Sequence, residues 1–175
     1  MRIRNYRQGD IATLAQIQQL AAAADGTEPI SMIDFEIWLS QSELEAQYNV
    51  FVITDDDESN EWGQAGTLEG LEGEVIGYTV LQLRQRQHTY HFLCEGAVHP
   101  QHRRRGAGSA LLICALNRAH IWSTELEMGE REKPINFEVL LPLKDHASEN
   151  LARRCELQPT DERALIGMRL YSRAL

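Results

Sequence analysis

Lysine is nearly absent: the chain of 175 residues has only Lys133 and Lys144, against fifteen arginines. A basic complement of this kind presents planar guanidinium forks, which suit bidentate recognition of a defined anion better than generic solubility. No apolar run approaches the ~20 residues that a membrane-spanning helix needs, so no transmembrane segment is expected. The opening residues Met1 to Arg7 (MRIRNYR) lack the apolar stretch of a secretory signal. Cysteine is scarce and odd in number, with Cys94, Cys114 and Cys155 widely spaced and no Cys-x-x-Cys pair. That pattern predicts reduced thiols in a cytoplasmic protein and argues against a structural zinc site. A broad basic face is missing too. Net charge is −9, yet eight acids and no base lie between residues 55 and 74, so the rest of the chain is close to neutral. Neither a nucleic-acid nor a membrane partner is expected.

What is present reads as a globular domain spanning 1–175, with 43% hydrophobic and 25% charged residues. Its length allows a core that needs no disulfide or metal. Alternation over Arg2–Tyr6 predicts a first strand, and Gly9-Asp10 opens a helix with Asp10 as N-cap and Ile11, Leu14, Ile17 and Leu20 at helical spacing. Asp25-Gly26 stops it, and Ser31 caps a second helix running to about Ala46. Strands are predicted over 48–54, 74–86, 89–98, 135–141 and 164–172, with the acidic segment 55–73 as a solvated hairpin loop. Helices are predicted over 106–122, with Leu111, Leu112, Ala115 and Ala119 facing inward, and over 146–154. The order βααβββαβαβ predicts a mixed α/β sheet with helices on both faces.

The segment Val98-His-Pro-Gln-His-Arg-Arg-Arg-Gly-Ala-Gly-Ser109 joins a strand to the strongest helix in the chain. A helix start carries backbone N–H groups without intrahelical acceptors, and the peptide dipoles make it positive. Gly106 and Gly108 let an anion approach that backbone, and Arg103, Arg104 and Arg105 add charge on the approach. A pyrophosphate or similar anion fits such a site. Read from these residues alone, the segment is also compatible with an ordinary glycine-containing helix start with solvated arginines. A dinucleotide fingerprint fits worse, because Leu111 stands where its third glycine belongs. A P-loop is excluded, since no Gly-Lys-Ser/Thr follows.

The pattern Val-x-Pro-x-x-Arg-x-x-Gly-x-Gly, carried by Val98, Pro100, Arg103, Gly106 and Gly108, resembles the acyl-CoA signature of the GNAT N-acetyltransferase superfamily. The start Ile-Arg-x-Tyr-Arg-x-Gly-Asp, the pair Gly77-Tyr78 and the late Met168-Arg169-Leu170 are similar to the same family, and more finely to its mycothiol-synthase-like members. The resemblance implies a mostly antiparallel central sheet flanked by helices and splayed between its fourth and fifth strands. It implies acetyl-CoA as acyl donor, with no metal, and direct acetyl transfer to an amine of a small molecule or peptide. Backbone N–H groups of Arg104, Arg105, Gly106, Ala107, Gly108 and Ser109 would hold the pyrophosphate, while Ala97 and Val98 would pair with the pantetheine amides. A homodimer is compatible with the resemblance. Acceptor pockets would come from residues 25–45, around Trp38, and from the segment after Trp122.

Transfer to an ammonium needs a base or a water chain to take its proton. Glu95 is the carboxylate nearest the expected cleft, with His91 second. Strict alternation sets Tyr90, Phe92, Cys94, Gly96 and Val98 on one face and His91, Leu93, Glu95 and Ala97 on the other, so a bulge would be needed to turn Glu95 toward pantetheine. Cys94 reads as buried filling, and His99 and His102 as solvated loop residues. Many relatives place a tyrosine on the late helix to protonate the leaving thiolate; here that helix, 146–154, has none. The departure keeps a second reading open, a non-catalytic acyl-CoA-binding or regulatory module.

Overall fold

The structure, a computed structural model, describes residues 1–55, 73–86, 88–129, 133–162 and 165–175. Among these, strands β1 (Arg2–Asn5), β2 (Val50–Asp55), β3 (Glu74–Arg86), β4 (Thr89–Val98), β5 (Ile135–Pro142), β6 (Gln158–Pro159) and β7 (Met168–Ala174) form one seven-stranded sheet, ordered β1-β2-β3-β4-β5-β7-β6. Every neighbouring pair is antiparallel except β4 and β5. That parallel pair is joined by helix α4 (Ala107–Gly129), the long crossover such a connection requires. The other helices are α1 (Ile11–Asp25), α2 (Met32–Leu39), the short α3 (Ala46–Asn49) and α5 (His146–Arg154).

Side-chain alternation divides the core between two faces. Leu14 and Ile17 of α1 and Phe35 and Leu39 of α2 pack on Val50, Val52, Tyr78 and Val80. On the opposite face, Leu112, Ala115 and Ala119 of α4 and Ala152 of α5 meet Phe92, Cys94, Phe137, Val139 and Tyr171. Leu111 adds a third cluster with Phe51, Ile53 and Ile76. Each fully buried Leu, Ile, Val or Phe contributes ~1.5–3 kcal/mol relative to its exposed state. These contacts clamp the middle of the sheet between two helical layers.

The splay that the resemblance implies is present. The β4–β5 ladder pairs Tyr90–Cys94 with Ile135–Val139 and goes no further. Beyond it, β4 follows β3 as far as Gly77↔Val98, while β5 follows β7 as far as Pro142↔Met168. The sheet therefore opens into a wedge whose two sides are strand edges facing one another.

Several boundaries differ from the sequence expectation. Asp10 does not cap α1 through its side chain. A 3-10 turn over Gln8–Asp10 comes first, and the Asp10 carboxylate accepts the Arg7 N–H at 2.8 Å and both guanidinium nitrogens of Arg4 at 2.7 and 2.8 Å. Gly26, left-handed at φ 67°, ends α1 as expected, and the Ser31 hydroxyl accepts the Asp34 N–H to cap α2. The second helix ends at Leu39 rather than near Ala46, because Gln41 turns extended before a 3-10 turn at Ser42–Leu44. Helix α4 runs on past Trp122, with the Ser123 and Thr124 hydroxyls donating back to the His120 carbonyl inside the helix. The last strand begins at Met168, after Gly167 takes φ 78°. Most of the expected acidic hairpin loop, 56–72, lies outside the described residues, as does Ala164.

Burial alone would raise the Asp10 carboxyl, but the hydrogen bonds and charges of Arg4 and Arg7 hold it below the usual carboxylate range. A depressed folded-state value contributes stability that is present above the unfolded value and lost as pH falls through the folded one. Asp10→Asn is accordingly expected to cost about 3 kcal/mol at pH 7, because it removes the carboxylate from a largely buried bidentate ion pair. The difference from wild type should begin to shrink as pH falls below about 4, because the unfolded carboxylate takes up a proton there while the folded one still resists it. Urea denaturation at pH 7 and pH 3.5 checks both statements.

Candidate active site

The wedge between β4 and β5 is a cleft of about 820 Å³, lined from both faces of the sheet and from the ends of α1, α4 and α5. Its size is that of a small-molecule or cofactor site. Gly96 is required where the cleft begins, because a Cβ there would collide with the Tyr78 carbonyl oxygen on β3.

At one end lies the loop after β4. The His99 N–H donates to the Ile76 carbonyl at 2.8 Å, fixing the exit from the strand, and His102 N–H closes a 3-10 turn on the His99 carbonyl at 2.9 Å. The His99 ring accepts the Gln101 N–H at 3.3 Å and stacks edge-on with His102, so both histidines serve the turn. Arg104 (φ 68°) and Gly106 (φ 93°) then both adopt positive φ, which brings successive backbone N–H groups round to one side as an anion nest. Helix α4 starts at once, and its first donors, on Ala107, Gly108 and Ser109, have no intrahelical partners. Gly106, Gly108 and Ser109 line the cleft, whereas the Ala107 side chain turns inward to the core. A Cβ on Gly108 would have nothing nearer than Leu151 and Val98 carbons at 3.9 Å, so the missing side chain is open space on the cleft wall.

The three arginines are tied to carboxylates rather than free in solvent. Arg103 forms a bidentate pair with Asp25, at 2.6 and 2.9 Å, and its Nε donates to the Val98 carbonyl at 3.2 Å. Arg104 reaches Asp145 at 2.8 Å, and Arg105 reaches Asp55 at 3.3 Å. Asp145 also accepts the Ala147 N–H and the Ser148 hydroxyl, capping α5. Arg103 and Arg104 line the cleft; Arg105 does not. The loop is thereby fastened to α1, α5 and β2 in the shape an anion would meet. Sequence reading missed Asp25 and Asp145. Asp25-Gly26 looked only like a helix stop, and nothing in the pattern marked Asp145 as a partner.

The middle of the cleft holds Glu95, Ala97 and Val98. Ala97 and Val98 lie on the unpaired part of the β4 edge, facing away from β3. Glu95 lines the cleft without any bulge, as the β3–β4 register is continuous through it. The expected obstacle disappears because the cleft passes through the sheet and is open to both faces. Burial pushes the Glu95 carboxyl above its ordinary value, and the Arg84 guanidinium 4.0 Å away partly offsets that rise. Its side chain keeps 25% exposure, enough to meet a ligand. Cys94, on the α4 face, is buried against the Thr79 hydroxyl at 3.2 Å, and burial pushes its thiol up to about 12. It is therefore no nucleophile at neutral pH. His91 is not among the residues lining the cleft; its Nδ1 lies 2.7 Å from Glu138, a buried carboxylate on β5.

The far end, on the α1–α2 side, is built from Ala21, Ala22, Glu28, Ile30 and Trp38 and, facing them, Leu165, Ile166 and Met168. Trp38 lies in the expected acceptor segment. The described residues that follow Trp122 continue α4 and do not line the cleft, whereas the turn before β7 does. Gly167 was the available signal: a glycine inside a strand pattern often marks a turn or a close approach.

The family model for the Acetyltransferase (GNAT) family matches residues 23–129, well over half of the chain. The chain belongs to the GNAT acetyltransferase family. Curated relatives are distant from this GNAT protein: a mycothiol acetyltransferase from Saccharopolyspora erythraea is 41% identical over 49 residues, spanning 28% of this chain and 16% of that protein. Among solved structures, the yncA protein from Salmonella typhimurium, with its cofactor acetyl-CoA, superimposes at TM-score 0.68 and 17% identity, covering all of this chain and 94% of that one. A GCN5-related N-acetyltransferase from Sphaerobacter thermophilus gives TM-score 0.66 at 16% identity, over 90% of this chain and 43% of that one. At such identities these structures establish the shared fold. Among the described residues, no group of three His, Cys, Asp or Glu side chains is placed to hold a metal ion, and no helix is long and apolar enough to cross a membrane.

Proposed function

We propose that the protein is an acetyl-CoA-dependent N-acetyltransferase acting directly on an amine. The observation that carries the reading is the conjunction of an anion nest at Arg104–Ser109 with an open β4 edge leading from it to Glu95. The residues present fit the donor. The nest and the first turn of α4 offer N–H groups to a pyrophosphate, while Arg103, Arg104 and Arg105, each paired with a carboxylate, hold the loop in that shape. Gly108 leaves room for it, and the edge at Ala97 and Val98 offers strand-type hydrogen bonding to the pantetheine amides. When bound, acetyl-CoA supplies an activated acyl group: a C–N bond to the amine forms, the C–S bond breaks, and the amine proton leaves to a base while sulfur departs as the CoA thiol.

Glu95 is the base this arrangement offers. Burial raises its carboxyl, which makes the carboxylate a better acceptor for a proton from an ammonium held in the cleft. His91, occupied with Glu138 and away from the cleft, is the weaker choice. Tyr78 lines the cleft from β3, but burial first and the Glu95 charge second raise its hydroxyl, which makes it a poor acid for the thiolate. Thiolate release is left to water, consistent with the lack of a tyrosine on α5.

Isothermal titration followed by a thiol-release assay tests the reading. Micromolar binding of acetyl-CoA and amine-dependent release of free thiol are expected. Binding without turnover of any amine would favour a donor-binding module, and no binding would remove the enzyme reading altogether.

A further inference from the structure

The two ends of the cleft differ in chemistry. At the donor end its arginines, Arg103, Arg104 and Arg154, are gathered with the start of α4. At the acceptor end the described lining is hydrocarbon interrupted by carboxylates. Ile30, Trp38, Leu165 and Ile166 bound the opening, and Leu165 and Ile166 remain 65% and 85% exposed although they border a cleft. Such side chains gain most from an occupant that covers them. The carboxylates from the middle of the cleft to that end are Glu95 and Glu28, since Asp25 is already satisfied by Arg103; no arginine or lysine among the described residues lines that end, the Lys144 ammonium lying against Gly26 outside the lining. One fixed cation among apolar contacts answers both features.

From this composition, and resting on the transferase reading above, we propose that the acceptor is a small primary ammonium compound with a compact branched-aliphatic or aromatic body. Its ammonium lies toward Glu95 and Glu28, and its body lies between Trp38 and the Leu165–Ile166 turn. A polycation would need more carboxylates than the described residues of the acceptor end present. A peptide would bring a row of amides, each needing a partner once buried. Away from the bare strand edges few are offered among the described residues: the Gln18 side-chain oxygen is already taken by the Ile30 N–H at 3.0 Å. The walls also touch, for a Cβ on Gly167 would lie 3.2 Å from Thr27 Cγ2 and 3.3 Å from the Gly26 carbonyl oxygen. That contact closes one side of the opening to a continuous chain.

The test uses the intact protein. Acetyl-CoA affinity is measured first by titration, and thiol release is then followed at saturating acetyl-CoA with 2-phenylethylamine, isopentylamine, ethanolamine, spermidine and an unblocked peptide. The apolar amines are expected to exceed ethanolamine and spermidine in kcat/KM by about 100-fold, as two or three buried apolar contacts allow. Ile166→Asp, an exposed position where the fold tolerates polarity, should raise KM for 2-phenylethylamine at least ~10-fold with the acetyl-CoA Kd unchanged. Glu28→Lys should raise it similarly. Preference for spermidine or the peptide, an unaltered KM in Ile166→Asp, or turnover of the other amines but not of the apolar ones would each overturn the acceptor class alone. Failure to bind acetyl-CoA would instead overturn the transferase reading beneath it.

Discussion

Gly108→Trp binds acetyl-CoA at least ~100-fold more weakly than wild type, a loss of about 2.7 kcal/mol, while its thermal midpoint stays within a few degrees. The reason is geometric. A Cβ at 108 meets only Leu151 and Val98 carbons, both at 3.9 Å, so the fold tolerates a small side chain there. An indole has nowhere to go but the space in front of the α4 donors. Gly108→Ala is the control, and it should retain binding within about 10-fold because one methyl at van der Waals contact blocks little. Gly106 would make a poorer probe, since φ 93° strains any other residue and would confound binding with folding. Unchanged acetyl-CoA affinity in Gly108→Trp would mean that the donor is held elsewhere.

The second large effect belongs to Glu95. Replacement by Gln keeps the shape of the side chain and its burial but removes the proton acceptor, and kcat should fall by about 10²–10⁴ with the acetyl-CoA Kd unaltered. The pH profile carries more information than the rate. Burial, partly offset by Arg84, raises the Glu95 carboxyl, so wild-type activity falls as pH drops through that raised value and the group becomes protonated. The acid limb should vanish in Glu95→Gln. In Arg84→Gln the limb should move to higher pH, because the charge opposing the rise is gone. An acid limb unchanged in Glu95→Gln would assign the base to water or to another group.

Those two positions also mark how far the sequence could be read. Gly108 was legible because five positions from Val98 to Gly108 sit at fixed offsets across a strand–loop–helix junction, a local signal that needs no tertiary knowledge. Alternation along 89–98 was legible for the same reason, and the two core faces follow it, with Phe92 and Cys94 against α4 and Ala97 against the α1–α2 layer. What escaped was non-local. Asp25 and Asp145 lie 78 and 41 positions from their arginine partners, and no periodicity encodes such distances. The unbulged reach of Glu95 into the cleft depends on where β5 parts from β4, which is set by packing on the far strand. Short elements were lost for another reason: β6 is two residues, one of them proline, and has no alternation to detect.

The parting of β4 from β5 leaves bare strand edges in the interior of a sheet, a place where edges are ordinarily consumed by pairing. Exposed edges invite other chains to add on, yet this one is poorly placed to recruit them. Only four residues of β4, Glu95 to Val98, extend past the last pair with β5, and helices α1, α4 and α5 contribute walls on either side. A second polypeptide would find only that short edge to pair with, and a very short edge is one of the ways in which proteins blunt such pairing. The protein thus carries an adhesive backbone surface without the aggregation hazard that usually comes with one.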